Sequence, residues 1–271
     1  MGNPPSERVN VSAPFSNTGV DFAGPFLIKY KGQRKGTLHK VYVEIFVCMS
    51  IKAVHIEMVT DLTSEAFISA LKRFFARRSK CSTLFSDSAT NFVDAQAELN
   101  KLHNFINNPD NNSSNFWPIK WKFISPVSPN FGGLWEAGVK SFKHHFRRTI
   151  GTTNLTYEEF NTVIVEIEGI LNSRPITEIS FDINDLVTLT PGHFLIGRPI
   201  NTVAEPELIN VSDNRISRWQ RVEKLTQHIW KRWSSDYLNH FQQRQKWQFV
   251  KNNVKPGVMV ILKEDNLPKC K

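Results

Sequence analysis

The first two thirds of the chain alternate short apolar runs with segments of helical periodicity, which predicts an α/β fold. The runs predicted as strands are Thr18–Phe22, Pro25–Tyr30, Val41–Met49, Ile51–Val59, Cys81–Ser86 and Ile119–Ile124. Those between 41 and 59 are almost continuously apolar, as in strands covered on both faces. The predicted helices cover the stripe from Phe67 to Phe75, Asn91–Leu102, Leu134 to about Ile150, and a segment opened by the capping box Thr156-x-x-Glu159. This order favours a mixed sheet flanked by helices.

The remaining segments give a less regular pattern. We interpret His103–Pro118, which is rich in asparagine, and Leu186–Asn214, which is punctuated by proline, as connections without regular structure. A long helix is predicted over Ile216–Lys246, and one further strand over Val258–Leu262. The pattern therefore predicts an α/β part followed by a mainly helical part.

Positive charge is concentrated near the end of the sequence. The formal net charge is +9 at pH 7, and Arg215–Lys255 alone carries ten Lys or Arg against two acids, with four of the seven Trp. Such a segment is typical of a surface that binds a polyanion, most simply nucleic acid. A solvated helix face whose tryptophans anchor it to a core accounts for the same composition. No run of 18 apolar residues occurs, so no membrane span is predicted.

Three acidic residues stand out by their positions in the predicted elements. Asp21 lies inside the first apolar strand, Asp87 follows a later strand, and Glu136 lies in the first turn of a helix. Carboxylates that converge from separate elements at one edge of a sheet suit Mg²⁺ or Mn²⁺, because these ions prefer oxygen ligands. Two such ions can hold the attacking and leaving oxygens of a phosphoryl transfer.

Each of these acids also has an ordinary structural explanation. Asp87 fits a turn, Glu136 fits the positive end of a helix dipole, and Asp21 fits a strand acid with a backbone partner. Three further acids lie in or beside predicted strands, namely Glu44, Glu57 and Asp61. From the pattern alone, the triad is therefore one choice among several.

The helix that follows Glu136 carries a row of cations on the same face. Lys140, Lys143 and Arg147 follow the glutamate at i+4, i+7 and i+11. A cationic row that leads away from a metal-binding acid suits a helix lying along a phosphate backbone. An ordinary Glu–Lys pair on a solvated face explains Glu136 and Lys140, but not the continued row.

Several short blocks along the chain match one protein family. They are TGVDFAGP (18–25), FVCM (46–49), KAVHIE (52–57), RFFARR (73–78), SD (86–87) with NF (91–92), FGGLWEA (131–137) with VK (139–140), LNSRP (171–175) and LTPGHFLIG (189–197). Together they resemble the integrase of BEL/Pao-type LTR retrotransposons, a family related to retroviral integrases. The resemblance runs from about Pro14 to Leu262.

This resemblance implies an RNase H-like integrase catalytic core in which Asp21, Asp87 and Glu136 are the catalytic residues and the metal ligands. It implies two Mg²⁺ or Mn²⁺ ions, and DNA 3′-end processing followed by strand transfer. Lys140 and Lys143 match positions that contact DNA ends in related integrases, and Arg147 continues their row. The implied partners are element ends, target DNA and further copies of the chain in a homo-multimer, with no membrane. The need to reach chromosomal DNA implies a nuclear location, with the cytoplasm as the alternative.

The resemblance also divides the chain into five segments. These are an N-terminal tail (1–13), the RNase H-like integrase catalytic core (14–200), a linker (201–214), a basic helical segment (215–253) and the truncated start of a C-terminal β-barrel domain (254–271). The three scattered cysteines cannot rebuild the family's N-terminal His/Cys zinc module. We therefore expect a chain that is truncated at both ends relative to the family.

One motif departs from the family pattern, because the usual Ser-Asp-Asn-Gly reads Ser86-Asp87-Ser88-Ala89. If the glycine position requires a positive φ, Ala89 costs about 1 kcal/mol or more and tilts Asp87. Two other functions therefore stay open. One is a decayed or co-opted DNA-binding remnant of an integrase without turnover, and the other is a structure-selective nuclease with the same fold and metals. Metal-dependent strand transfer distinguishes an integrase from both.

Overall fold

The computed structural model of the protein describes residues 6–31, 37–106, 119–124, 133–150, 153–178 and 188–242. The chain divides into two compact units, one formed by Met1–His144 with Thr152–Glu168, and the other by His145–Gly151 with Gly169–Lys271. Among the helices of the described ranges, none combines the length and the apolar character needed to cross a membrane.

The first unit contains a six-stranded mixed sheet with helices packed on it. Its elements are α1 (Ser6–Val9), β1 (Asn17–Lys29), β2 (Leu38–Cys48), β3 (Val54–Val59), α2 (Ser64–Arg78), β4 (Thr83–Ser86), α3 (Thr90–Ile106), β5 (Lys120–Phe123), the first part of α4 (Gly133–Ile150), β6 (Leu155–Thr156) and the first part of α5 (Tyr157–Asn172). The strand order is β3-β2-β1-β4-β5, and β6 pairs with β1. Strands β1, β2 and β3 are antiparallel neighbours, whereas β4 and β5 run parallel to β1. The predicted α/β class, with a mixed sheet flanked by helices, is confirmed.

Strand β1 corrects the prediction of two separate strands. It continues through Gly24 and Pro25, and the pairing with β2 shifts register between Ala23 and Phe26. A proline cannot donate a ladder hydrogen bond, so it is accommodated at a bulge, where the register shift leaves it unpaired. The Gly-Pro pair therefore bends one strand instead of ending it.

The core between the sheet and α2 is largely aromatic. Phe74 of α2 stacks on Phe46 of β2 with ring centroids 4.2 Å apart, and Phe15 meets Phe74 edge-on at 5.3 Å. The helix buries the stripe predicted from its spacing, including Phe67, Leu71 and Phe74. All six residues of β3 are buried, in agreement with the predicted covered strand.

One helical boundary departs from the prediction and another agrees with it. Helix α3 continues to Ile106, so the predicted Asn-rich connection begins later than expected, and residues 107–118 lie outside the described residues. Helix α5 starts as predicted, because the Thr156 N–H donates to Glu159 Oε2 at 2.7 Å, and the Glu159 N–H donates to Thr156 Oγ1 at 3.4 Å. These reciprocal bonds are those of a capping box.

The second unit contains regular structure where a connection was predicted. Its own elements are β7 (Thr177–Glu178), β8 (Thr188–Leu189), α6 (Pro191–Ile196), a 3₁₀ turn (Asp213–Arg215) and α7 (Arg218–Gln242). Helix α6 forms because Pro191 occupies its first turn, and because His193 Nδ1 accepts from the Thr190 N–H at 3.1 Å. The predicted strand Val258–Leu262 and the helix beyond Gln242 lie outside the described residues.

One acid is buried in the sheet without a hydrogen-bond partner among the described residues. Glu44 lies in the middle of β2 with 0% exposure, and its two carboxylate oxygens have no hydrogen-bond partner among the described residues. Burial raises the pKa of this carboxyl well above its ordinary value, and the charge of Arg73 only partly opposes the effect. The folded protein therefore favours the protonated acid at this position.

We expect Glu44→Met to raise the free energy of unfolding at pH 7 by about 1–3 kcal/mol, because it removes an unsatisfied buried polar group. A carboxyl whose pKa is raised by folding contributes its full stability below the unfolded value of 4.5, and loses it as the pH rises. The gain over wild type should therefore shrink between pH 7 and pH 4. Urea unfolding at both pH values measures it, with the exposed Glu98→Met as control, and an equal gain at both pH values would contradict the assignment.

Candidate metal centre

Asp21 and Asp87 lie at equivalent positions on neighbouring parallel strands. Gly19 of β1 pairs with Phe85 of β4, and each aspartate follows its paired residue by two positions. Asp21 is half-buried within β1, whereas Asp87 is exposed just after β4 ends. The parallel register therefore brings the two predicted acids to the same level of the sheet.

Backbone amides fix the orientation of both aspartates. Asp21 Oδ1 accepts from the Phe22 N–H at 2.7 Å, and Asp87 Oδ1 accepts from the Ala89 N–H at 3.1 Å. Below Asp87, the buried Ser86 hydroxyl donates to the Asp87 carbonyl at 2.8 Å. Each carboxylate is thus held by its own backbone neighbourhood before any ligand is considered.

Glu136 completes the group from the first turn of α4, where it is exposed. Burial raises the pKa of Asp21, the Phe22 N–H and the charge of Lys143 oppose the shift, and the charges of Asp87 and Glu136 add to it. Since such Coulomb effects weaken with distance, these groups lie within electrostatic range of Asp21, although the carboxylate oxygens of the three acids are not all within 4.8 Å of one another. The structure therefore brings together the three predicted acids, with one predicted cation beside them.

The competing acids have other environments. Asp61 is exposed and accepts from the N–H and hydroxyl of Thr63, the residue that caps α2. Glu44 is fully buried in the sheet, and Glu57 forms ion pairs with arginines of α2. Asp21, Asp87 and Glu136 are thus separated from the alternatives by their mutual proximity, which the sequence pattern did not contain.

The backbone at Ala89 does not have the strain expected from the missing glycine. Among the described residues, positive φ angles outside glycine occur at Phe15, Lys52 and Ser79, and not at Ala89. The Ala89 carbonyl instead accepts from the amides of Phe92 and Val93 at the start of α3. The expected cost at this position is therefore wrong, because the chain enters a helix here without a left-handed residue.

The predicted cationic row lies along α4. Lys140 and Arg147 are exposed, whereas Lys143 is half-buried. The charge of Lys143 lowers the pKa of Asp21. Arg147 falls in the part of α4 that belongs to the second unit. Their spacing places all three on one side of the helix, the side that carries Glu136.

Sequence reasoning missed a second charged cluster, on β3 and the first part of α5. The His55 side chain is fully buried, with Nε2 2.9 Å from Glu57 Oε1 and Nδ1 3.3 Å from the Glu168 carboxylate. Glu168 Oε2 also accepts from the Ile56 N–H at 2.8 Å. Burial lowers the pKa of His55, although its bond to Glu168 acts in the opposite direction. Burial and the bond to Glu168 therefore act against each other on the charge of this imidazole.

Three arginines of α2 balance these carboxylates. Arg73 Nε donates to Glu57 Oε2 at 2.7 Å, Arg77 also pairs with Glu57, and Arg78 pairs with Glu168. Arg73 further donates to the Met58 carbonyl at 3.1 Å. The available signal was the spacing of the arginines at i, i+4 and i+5, opposite a strand that alternates His and Glu. The cluster joins α2, β3 and α5, and we assign it a structural role.

The donor set of the first group fits a hard divalent cation. Three carboxylates supply only oxygen ligands, which Mg²⁺ and Mn²⁺ prefer and which are unlike the sulfur and imidazole ligands typical of zinc. A cation bound among these carboxylates would offset the repulsion between their like charges. The side-chain chemistry of Asp21, Asp87 and Glu136 therefore suits such a cation, which would draw their carboxylates closer together than they lie here.

Comparison with known proteins gives one family match and several similar structures. Residues 217–271 match a family of unknown function, DUF5641. No curated protein sequence matches the chain. The chain is similar to one in a simian T-cell lymphotropic virus intasome solved in complex with the PP2A regulatory subunit B56 gamma, with 15% identity and a TM-score of 0.45. The match covers 74% of this chain and 61% of that one.

Two further similar structures are of the HTLV-2 integrase catalytic core domain in complex with magnesium. The trimeric form matches with 17% identity and a TM-score of 0.41, over 68% of this chain and 97% of that one. The dimeric form gives the same identity and TM-score, over 67% and 97%.

Proposed function

We propose that the chain is a retrotransposon integrase-type protein, which binds DNA and joins DNA ends by metal-dependent phosphodiester chemistry. The observation that carries the proposal is that Asp21 within β1, Asp87 just after β4 and Glu136 in the first turn of α4 lie within electrostatic range of one another. The sequence blocks that resemble BEL/Pao integrases support the same family. The finer assignment to DNA 3′-end processing followed by strand transfer rests on this resemblance.

The three carboxylates would hold two Mg²⁺ or Mn²⁺ ions. When bound, such ions supply Lewis acidity that activates a nucleophile and stabilises the leaving oxygen of an in-line displacement. The protein's own contribution is to fix the carboxylates, through the Phe22 and Ala89 amides, before substrate binds. Preorganisation of this kind lowers the barrier, since the groups need no rearrangement during the reaction.

The cations beside the carboxylates would bind the substrate backbone. Lys143 lies near Asp21, where it can contact a phosphate adjacent to the reacting one. Lys140 and Arg147 extend the row along α4 and are exposed. The proposed substrates are element ends and target DNA, which a homo-multimer in the nucleus would bring together.

Helix α7 lies in the basic helical segment (215–253), and its surface supports the proposal that this segment binds DNA. Its apolar side stacks Trp233 on Tyr237, and the Tyr237 hydroxyl donates to the Pro175 carbonyl at 2.7 Å. Other positions expose cations, namely Arg218, Arg221, Lys231 and Arg232. Burial and the charges of Lys224, Arg232 and Lys231 lower the pKa of His228, so the positive charges are close together. A dense cationic face is suited to a phosphate backbone.

The test is a strand-transfer assay with labelled duplex ends from the element's terminal repeats. We expect joined products with Mn²⁺ and none when the metal is chelated. A chain that binds the duplex tightly but never joins it would instead be a DNA-binding remnant. Cleavage without joining would indicate a nuclease. Strain at Ala89 no longer favours the hypothesis of a DNA-binding remnant, because the φ angle of Ala89 is not positive.

A further inference from the structure

We propose that Trp135 is a positioning residue that sets the three carboxylates in place, and that Gly19 lacks a side chain so that the indole can lie on β1. The inference rests on the proposed function, because it concerns the same carboxylates. It assigns a role to two residues that hold no ligand themselves.

The indole touches the chain two residues before each aspartate. A Cβ on Gly19 would lie 2.5 Å from Trp135 Cε3 and 2.7 Å from Cδ2, so the indole occupies the space of a side chain at this position. On the neighbouring strand, the Trp135 and Phe85 ring centroids are 6.0 Å apart. Gly19 and Phe85 are themselves register partners. One ring therefore spans both strands at the level just below Asp21 and Asp87.

The same residue precedes Glu136 in the chain. Trp135 is 2% exposed, so its ring is enclosed by the unit and cannot change position without repacking. Successive residues of a helix are displaced by about 100° around its axis and 1.5 Å along it. Fixing the indole therefore fixes both the rotation and the height at which α4 presents the glutamate.

A second close approach prevents α4 from pivoting about the indole. A Cβ on Gly138, one helical turn after Trp135, would lie 3.2 Å from Val47 Cγ2. Val47 is the register partner of Gly19 on β2. The first turns of the helix thus pack on the adjacent strands β1, β2 and β4 at one level. These contacts together hold the part of α4 that carries Glu136.

The test adds one methyl group beneath the indole, by Gly19→Ala. The clash must displace the ring or the strand, and a displacement near 1 Å reduces a reaction rate by about a hundredfold. We expect at least a tenfold loss of apparent Mn²⁺ affinity, measured from the rise of the melting temperature with Mn²⁺ concentration. Strand transfer should fall by about a hundredfold in the same preparation.

Gly192→Ala is the matched control, because its Cβ would lie 2.8 Å from Ile200 Cγ1 in the second unit. It introduces a comparable clash, and we expect lower thermal stability with an unchanged Mn²⁺ affinity. In a Trp135→Leu background the clash is absent, so adding Gly19→Ala should cause no further fall in melting temperature.

The outcomes separate this inference from the proposed function. Equal Mn²⁺ affinities for wild type and Gly19→Ala would overturn the positioning role, and so would an equal loss of stability with and without the indole. A wild-type protein without any Mn²⁺ response would contradict the proposed metal chemistry, and this inference with it.

Discussion

Glu136→Gln is expected to lower strand transfer by at least about a thousandfold, which corresponds to a loss of about 4 kcal/mol of transition-state stabilisation. The amide is nearly the same size as the carboxylate but carries no negative charge, so it holds a divalent cation poorly. Glu136 is exposed and Trp135 fixes the start of α4, so the substitution should leave the fold unchanged. The measurement is the rate of product formation with Mn²⁺ at saturating DNA.

Glu158→Gln provides the matched control for this experiment. Glu158 is also an exposed glutamate in the first turn of a helix, in this case α5. It should join DNA at the wild-type rate, and both variants should bind duplex DNA with affinities within about twofold of wild type, since Lys140 and Lys143 are intact. A Glu136→Gln protein that retained strand transfer would show that the acid is not a metal ligand.

The largest expected effect on stability is that of Glu168→Ala, which removes one partner of the buried cluster on β3. His55, the Ile56 N–H and Arg78 all lose a bond to this carboxylate. Breaking a buried ion pair from one side typically costs about 3–5 kcal/mol, because the remaining groups are left without compensation. Chemical unfolding at pH 7 measures the loss, and Glu65→Ala, an exposed acid on α2, should cost at most about 1 kcal/mol.

The effect of Glu168→Ala should depend on pH. Burial tends to raise the pKa of Glu168, but the bond and charge of His55, with Arg78 and the Ile56 N–H, lower it below the ordinary value of 4.5. A carboxyl whose pKa is lowered by folding stabilises the protein above that value, and loses the effect as the pH falls through the folded pKa. The difference between wild type and variant should therefore narrow below pH 4.5. A constant difference across this range would show that the carboxylate's charge is not what stabilises the cluster.

The α/β class could be predicted from the sequence because each strand and helix carried its own periodic signal. The stripe from Phe67 to Phe74 is such a signal, and it is buried as predicted. The unbroken strand β1 could not be predicted, since Gly24-Pro25 has the same appearance in a turn and in a bulge. Helix α6 was missed because six residues are too few for a helical repeat of apolar positions to be recognised. Its cap also depends on a contact between Thr190 and His193.

The candidate site shows the same division between local and distant information. Asp21, Asp87 and Glu136 could be named from their places in single elements, but so could Glu44 and Glu57. The parallel register of β1 and β4 distinguishes the three candidate ligands from the other acids, because it places Asp21 and Asp87 side by side. Register depends on two segments that lie more than 60 residues apart in the chain. The space over Gly19 that admits Trp135 is invisible in the sequence for the same reason.

The charged cluster on β3 also has a consequence for solubility. β3 is the terminal strand of the sheet, and a terminal strand offers unpaired backbone groups to which another chain can add. Glu168 occupies the Ile56 N–H, and Arg73 occupies the Met58 carbonyl, so two of these groups are already engaged by side chains of the same molecule. The ionic network therefore leaves fewer backbone groups of the edge strand free to pair with another chain, which opposes aggregation by strand addition.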